Sequence, residues 1–491
     1  MKRVYYTKNE LSRSYEKLVQ KACYYQRCGN ISRAREIIER AAKLQYNLNV
    51  IYSDSRLTNI LKEESYKRYG KIDNYQGKDD TVVFYDDLSV DNGGLTQQYL
   101  DALLSYKDVK VVYVSGTSIA RRGEHILQKL QDYDVCYYEL NKNATIAEDE
   151  LKEILERHKP QKLFLHLLPY STTPFVVGYA FPGLLKYQIN ITDHAFWLGS
   201  PDYFDKIIEF RDYGAQVSIE KRGFRSQQII LLPFYPWQEK TEFQGFPDIK
   251  QPLILFSGGA TYKIAGGGNA FFSMVDKILD KNCNIAFLFA GSGNTEQIED
   301  FKRNSKNSDR ILYLGFRQDI AEVMKHIDIY INTYPLGGGL MLQLAAINRK
   351  PILALNDNSC ESLVCTKKKA NFAFDNVDDL VNEANRLFSD DSYRYERAEF
   401  FHSLVATRDD FIEGLYNKCF STVSPGETIK KVEIDYDSFS DVYLNSINNG
   451  HLELFVEQNI LRAHPFALNW KMIINCILGG FSFLKHNLKK H

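Results

Sequence analysis

Four groups of glycines and one lysine are the residues of this sequence best suited to hold an anion. The glycines follow apolar runs and lie at Gly258-Gly259, Gly266–Gly268, Gly291 with Gly293, and Gly337–Gly339. Glycine lets the backbone approach a ligand closely, and helices that begin after such loops direct their amide groups towards an anion such as phosphate. Lys263 is the fixed cation of the first loop, where it could neutralise a diphosphate. A tight turn would explain any one loop, so the prediction rests on their recurrence.

An Asp-His pair is the second candidate for chemistry. The apolar run that begins at Gln188 stops at Asp193 and His194. A carboxylate beside an imidazole can tune its pKa towards neutrality, which suits a general base. We expect no other histidine of the sequence to combine a strand-end position with a neighbouring carboxylate. A histidine with a purely structural role is the alternative.

A third candidate follows the apolar run Thr81–Tyr85. Asp91 precedes Asn92-Gly93-Gly94 and a helix predicted over Leu95–Leu104. Asp91 beside this loop is a candidate acid–base or acceptor-binding group. Helix N-capping is the alternative role for this aspartate.

Two stretches of alternating strands and helices must position these residues. The later stretch has five predicted strands, at Pro252–Phe256, Asn284–Ala290, Arg310–Leu314, Asp328–Asn332 and Pro351–Leu355. The earlier stretch runs from Thr81 to Pro233 and includes a helix predicted over Asp202–Phe210. This alternation predicts an α/β protein with two doubly wound parallel sheets, in which ligands bind beyond the carboxyl ends of the strands. Neither GxxxxGK[ST] nor GxGxxG is present, which disfavours a P-loop NTPase or an ordinary dinucleotide dehydrogenase.

Two short motifs carry a family resemblance. Thr261–Ile264 after a strand and Asn332–Leu336 before a glycine cluster resemble the GT-B glycosyltransferases, in particular the protein O-GlcNAc transferase family and bacterial surface-polysaccharide glycosyltransferases. The resemblance implies two Rossmann-like domains and a nucleotide-sugar donor, most often UDP-linked, with no cofactor and no metal. It also implies a set of donor-binding residues: Gly258, Gly259, Lys263, Phe316, Arg317, Gly337, Gly338, Gly339, Leu340 and Gln343.

The sequence departs from these relatives in one loop. Leu336 and Leu344 stand where the retaining relatives have paired glutamates, which favours inversion of configuration. The carboxylate that the O-GlcNAc transferases use on the ribose also falls on Leu344. Gln343 is a possible substitute.

The chain divides into five predicted segments. They are a helical extension at 1–78 with one tetratricopeptide-like unit, an acceptor-side domain at 79–240 that contains the loop of Asn92, Gly93 and Gly94, a donor domain at 241–390, a return helix within 391–435, and a tail at 436–491. A helical hairpin without repeat ancestry would also explain the first segment. The return helix is predicted over Ser392–Tyr416.

The tail contains an apolar segment followed by lysines. Trp470–Leu484 with these lysines predicts a helix lying in a membrane interface. Burial of this helix on the protein's own surface or in a dimer is the alternative.

Charge and cysteine usage exclude some function classes. The 491 residues include 61 basic and 62 acidic side chains, a net charge of −1 with no sign of a nucleic-acid footprint. The eight cysteines lack zinc-ligand spacing and predict reduced thiols in a cytoplasmic protein. The first residues lack the apolar region of a signal peptide.

These observations favour a glycosyltransferase that acts on a hydroxyl acceptor in capsular or other surface glycan synthesis, with His194 as the base. A lipid-linked acceptor stays open beside the glycan. A protein acceptor, a non-catalytic GT-B-like partner subunit and a nucleotide-sugar epimerase are the alternatives, and homo-oligomerisation stays open.

Overall fold

The computed structural model describes residues 4–91, 94–116, 123–237, 241–356, 372–421, 428–452, 454 and 469–478. The chain forms two compact units. Unit 1 comprises Met1–Leu232, Ile412–Lys431 and Glu453–His491, and unit 2 comprises Pro233–Phe411 and Val432–Leu452. The backbone therefore passes between the units four times.

Unit 1 is built on a seven-stranded parallel sheet of order β3-β2-β1-β4-β5-β6-β7. Its strands are β1 Lys78–Asp86, β2 Lys110–Ser115, β3 Cys136–Glu139, β4 Pro160–His166, β5 Leu185–Ile189, β6 Lys206–Glu209 and β7 Ile229–Leu231. Its first eight helices are α1 Lys8–Arg27, α2 Ile31–Leu48, α3 Ser55–Tyr69, α4 Leu95–Ser105, α5 Glu124–Asp132, α6 Ala144–His158, α7 Thr173–Gly178 and α8 Asp212–Glu220. The strand order reverses between β1 and β4, which makes their carboxyl ends the topological switch point of this sheet.

Unit 2 is built on a five-stranded parallel sheet of order β10-β9-β8-β11-β12. Its strands are β8 Leu253–Gly258, β9 Ile285–Ala290, β10 Ile311–Gly315, β11 Ile329–Ile331 and β12 Ile352–Leu353. The helices in this part are α9 Ala270–Lys281, α10 Glu296–Asn304, α11 Ile320–Lys325, α12 Gly339–Ile347, α13 Val377–Ser389 and α14 Asp391–Leu404. Both faces of the sheet are covered, because Leu255 and Phe256 of β8 belong to different buried clusters. The two doubly wound sheets confirm the predicted fold class.

The predicted return helix is wrong as a single element. The structure has two helices, α14 and α15 (Arg408–Cys419), separated at Val405–Thr407. Thr407 begins α15 with a capping box, in which the Asp410 amide donates to Thr407 Oγ1 at 3.2 Å and the Thr407 amide donates to Asp410 Oδ2 at 2.8 Å. A last helix of unit 2, α16 (Tyr436–Asn448), lies in the segment predicted as tail.

The helix predicted over Asp202–Phe210 is also wrong. Lys206–Glu209 forms β6, which pairs with β5 on one side and β7 on the other. Ile207 and Ile208 are both buried. The short apolar run is therefore a central strand, and its period alone could not distinguish it from a buried helix.

Part of the predicted membrane-interface helix is described, and it packs on unit 1. Residues 470–478 are helical, and the Asn475 side chain bonds both the amide and the carbonyl of Val4, at 2.8 and 2.9 Å. Lys471 pairs with Glu10 of α1. Residues 479–491, with Lys485, Lys489 and Lys490, lie outside the described residues. Among the helices that the structure describes, none has the length and apolar character needed to cross a membrane.

A buried ion cluster ties the N-terminal helices to the sheet of unit 1. Glu148 of α6 is fully buried and pairs with Arg35 of α2 and Arg68 of α3. Arg68 also pairs with Asp149, whose side chain is 54% exposed. A buried charge that loses its partner is strongly destabilising, so the helical extension depends on Glu148.

We expect Glu148→Ala to lower the free energy of unfolding by about 3–5 kcal/mol, because Arg35 would keep a buried charge without its carboxylate. Asp149→Ala is the matched control, since it removes an exposed partner worth about 1 kcal/mol or less. Urea denaturation followed by circular dichroism measures both. Equal losses in the two variants would contradict the prediction.

Candidate functional site

The glycine loops of unit 2 meet at the switch point of its sheet. The strand order reverses between β8 and β11, so ligands are expected beyond the carboxyl ends of these two strands. Gly258 and Gly259 stand at the end of β8, and Asn332 and Thr333 follow β11. The structure therefore brings the predicted glycines of the first and last loops to one place.

Lys263 joins these two loops. Its Nζ donates a hydrogen bond to the carbonyl of Gly337 at 3.2 Å, and the Leu336 amide donates to the carbonyl of Lys263 at 3.3 Å. Thr333 Oγ1 donates to the Leu336 carbonyl at 2.7 Å and so holds the turn before Gly337. The ammonium group is therefore fixed where the two strand-end loops meet, in a position to neutralise an anion.

Two glycines allow the loops after β8 and β9 to pack closely. A Cβ atom on Gly291 would lie 1.9 Å from the carbonyl oxygen of Gly259, which no side chain could tolerate. Gly259 has φ = +146°, a conformation that favours glycine. The Gly259 amide also donates to the Ala290 carbonyl at 2.9 Å. Because no side chain separates the loops after β8 and β9, the groups at this edge of the sheet belong to the main chain.

Helix α12 begins at the same place. The Gly338 amide donates to Asn332 Oδ1 at 3.1 Å, which anchors the start of the helix to the end of β11. Gly339 is the first residue of α12, and Leu340 beside it is 45% exposed. Gln343 is fully buried one turn further on. The positive end of α12 thus faces the loop that contains Lys263.

Phe316 and Arg317 have different surroundings. Phe316 follows β10 and is 71% exposed, so its ring is accessible to a flat ligand. The Arg317 guanidinium forms two hydrogen bonds of 2.6 Å with Asp319 and one of 2.8 Å with the Gly245 carbonyl. Its side chain is 8% exposed. These bonds favour a structural role for Arg317 rather than the predicted ligand contact.

In unit 1, the predicted Asp-His pair is present. His194 Nδ1 lies 3.2 Å from Asp193 Oδ1, and the His194 side chain is 27% exposed. Asp193 is buried and forms a bidentate pair with Arg211. Burial alone would raise the pKa of Asp193, but Arg211 and His194 outweigh it and hold that pKa well below its usual value. The carboxylate stays ionised and orients an accessible imidazole.

Arg222 fixes the backbone around this pair. Its Nη2 donates to the carbonyls of Asp193 and Ala195 at 3.0 and 2.6 Å, and it is 3% exposed. Arg222 also lines a cavity of about 440 Å³, together with residues before and at the start of α3 and residues 199–201. Two carboxylates and two arginines line this cavity, so its lining is polar with no net charge: Glu16, Asp54, Arg56 and Arg222.

Asp91 has the helix-capping role that the sequence analysis gave as its alternative. It caps α5, however, and not α4, the helix that follows it in the sequence. Its carboxylate accepts hydrogen bonds from the amides of His125 and Ile126, at 2.8 and 3.2 Å, in the first turn of α5. Gly94 is the N-cap residue of α4. Asn92 and Gly93 lie outside the described residues.

The sequence prediction missed a second histidine–carboxylate pair. His166 ends β4 and Asp86 ends β1, in register across the switch point of unit 1, and His166 Nδ1 lies 2.9 Å from Asp86 Oδ1. The expectation that only His194 has such a neighbour is therefore wrong. Thr96 and Tyr113 donate to the other oxygen of Asp86, at 2.7 and 2.8 Å. This pair is buried, whereas His194 is accessible.

Asp87 is the neighbouring acid at this switch point. Its carboxyl accepts hydrogen bonds from Tyr85 Oη at 2.9 Å and from the Leu168 amide at 3.0 Å. Burial raises the pKa of Asp87 to about 6, although these bonds and one from Ser171 act in the opposite direction. The ends of β1 and β4 are distant in the sequence. Only a prediction of the strand order could therefore have shown that their residues lie together.

We expect Asp87→Asn to change the pH dependence of stability. Because the folded pKa lies above the unfolded value, the wild type loses stability as pH rises from about 4 to 6. The asparagine variant lacks this titration, so its stability relative to the wild type should improve between pH 4 and pH 7. Urea midpoints at both pH values measure the difference. A constant difference would contradict the raised pKa.

Comparisons with known proteins agree with this arrangement. The family model for glycosyl transferases group 1 matches residues 251–390, which contain the strands of unit 2 and every predicted donor-binding residue. No curated protein sequence matches the chain significantly.

Solved structures show the same fold at low sequence identity. A mutant of the Thermobaculum terrenum O-GlcNAc transferase is similar with 12% identity and a TM-score of 0.51, over 90% of this chain and 85% of that one. TarM is similar with 10% identity and a TM-score of 0.50, over 69% of this chain and 98% of that one. Residues 251–390 therefore match the group 1 glycosyl transferase model, and the chain has a two-sheet GT-B fold.

Proposed function

We propose that this protein transfers a sugar from a nucleotide-diphosphate donor, a UDP-sugar, to a hydroxyl acceptor of a surface glycan. One observation carries the proposal: Lys263 links the two glycine loops at the switch point of the sheet whose residues match the group 1 family. A fixed cation at a convergence of glycine backbone and a helix N-terminus suits a diphosphate.

The same groups would assist the reaction. Cleavage of the bond between sugar and diphosphate places additional negative charge on the leaving group. Lys263 and the amides at the start of α12 would stabilise that charge most strongly in the transition state, which accelerates the reaction rather than only binding the donor. The proposal assigns this role to protein groups and requires no metal.

His194 is the proposed general base. Its ring is partly exposed and the ionised Asp193 lies against Nδ1, and the proposal assigns to Nε2 the proton of the acceptor hydroxyl. Buried Leu336 and Leu344, at the positions of the retaining relatives' glutamates, offer no carboxylate. Both features support direct displacement with inversion.

A glycan is the proposed acceptor. The polar cavity beside the Asp193–His194 loop has no net charge and is lined by Ser53 and Ser55 in addition to its charged side chains. Such a lining suits a neutral, hydroxyl-rich ligand. The TM-score of 0.51 to an O-GlcNAc transferase structure reflects the fold and does not favour a protein acceptor.

We expect one nucleotide from a panel of UDP, GDP, CDP and their sugars to raise the melting temperature by several degrees, because a ligand that binds the folded state stabilises it. Lys263→Ala should weaken that binding roughly 10- to 100-fold, the loss typical of a charge-assisted contact. Thermal shift and calorimetric titration measure both effects.

Lys306→Ala is the control for a general charge effect, since Lys306 is a 72% exposed lysine of the same unit. No thermal shift with any nucleotide would reject the proposal and favour a non-catalytic GT-B-like subunit.

We expect His194→Ala to reduce sugar transfer roughly 100- to 10,000-fold, the usual contribution of a general base, while donor affinity stays unchanged. Transfer to octyl glycosides, followed by mass spectrometry, gives the rate. His158→Ala is the control, since His158 is a partly exposed histidine of the same unit that bonds Tyr138. Conversion of the donor sugar without any acceptor would instead indicate an epimerase.

A further inference from the structure

The segment after α16 places an imidazole on unit 2. Helix α16 ends in a turn in which Gly450 has φ = +76° and the His451 amide donates to the Ser446 carbonyl at 2.9 Å. Phe439, on the same helix, is buried. The turn and the buried face of α16 together fix the position of His451, which is only partly buried.

Two loops of unit 2 surround the His451 ring. Gln297 Nε2 lies 2.8 Å from Nε2 and 3.1 Å from Nδ1 of the histidine. A Cβ atom on Gly266 would lie 3.9 Å from the ring carbon Cδ2. Gln297 is in the first turn of α10, directly after β9, and Gly266 is in the loop after β8. His451 therefore lies at the carboxyl edge of the sheet, beside Gly266, which is three residues after Lys263 in the same loop.

Among the described residues, the space beside Gly268 is open, because a Cβ atom there would meet no heavy atom of theirs within 4 Å. Gly266 and Gly268 have no side chains, so a ligand held by Lys263 could extend over this part of the loop. This is the direction in which His451 and Gln297 would meet it.

The hydrogen-bonding capacity of the pair is not used up. Burial lowers the pKa of His451, so the ring is neutral at pH 7 and has one N–H donor and one acceptor nitrogen. Gln297 Nε2 can satisfy only one ring nitrogen at a time. Gln297 Oε1 is buried and has no hydrogen-bond partner among the described residues. A buried polar atom in this condition calls for a partner beyond the described residues.

We propose that His451 and Gln297 bind a hydroxyl group of the nucleotide-sugar donor. A hydroxyl donates one hydrogen bond and accepts two, which matches a neutral pair with both a donor and an acceptor to offer. The pair carries no charge, so it is unsuited to the diphosphate that Lys263 holds. The inference rests on the proposed function, and the hydroxyl belongs either to the ribose or to the transferred sugar.

The test uses the nucleoside diphosphate that binds best in the panel above, together with its glucose ester. His451→Phe and Gln297→Leu keep the volume and remove the hydrogen bonds. Calorimetric titration should show each variant roughly 3- to 10-fold weaker than the wild type, as expected for a neutral hydrogen bond. Equal loss for both ligands would assign the ribose hydroxyl, and loss for the glucose ester alone would assign the sugar.

Phe439→Leu controls for loosening of the whole segment, because it reduces packing of α16 and keeps the imidazole. Unchanged affinity in His451→Phe and Gln297→Leu would overturn the inference, as would an equal loss in Phe439→Leu. If no nucleotide binds even the wild type, the proposed function fails as well. Binding that depends on Lys263 and not on His451 would leave the proposed function standing and reject this inference alone.

Discussion

The close approach of backbone to backbone between Gly259 and Gly291 is the constraint on which the candidate donor site depends. With 1.9 Å between the Gly259 oxygen and the place of a Cβ on Gly291, the loops after β8 and β9 can adopt these positions only without a side chain. Lys263 is then brought to the loop after β11, where it bonds Gly337. The hydrogen bond of Lys263 thus places the cation beside the start of α12.

Unit 1 positions its candidate base by a different means. Buried charges in pairs hold the loop around His194, with Arg211 on the Asp193 carboxylate and Arg222 on the backbone carbonyls. Such pairs cost desolvation and add little net stability. They fix the orientation of one accessible imidazole. The second pair, Asp86 with His166, is buried at the edge of the sheet.

Local sequence was sufficient to predict the two sheets and the glycine loops, because strand–helix alternation and the position of Lys263 are local patterns. Local sequence did not predict the features that depend on tertiary contacts. Lys206–Glu209 is a strand because β5 and β7 flank it, and α14 ends at a break that Thr407 caps. Asp86 meets His166 across 80 residues, and His451 meets Gln297 across 154. No spacing rule within one segment brings such residues together.

The four passages of the backbone between the units have a consequence for synthesis on the ribosome. Domains usually fold in turn as they emerge, the N-terminal one first. Here unit 1 lacks Ile412–Lys431 and unit 2 lacks Val432–Leu452 until both have been translated. All the strands that the structure describes precede these segments, so each sheet can form before its unit is complete. The final packing of both units therefore waits until the C-terminal segments have been translated.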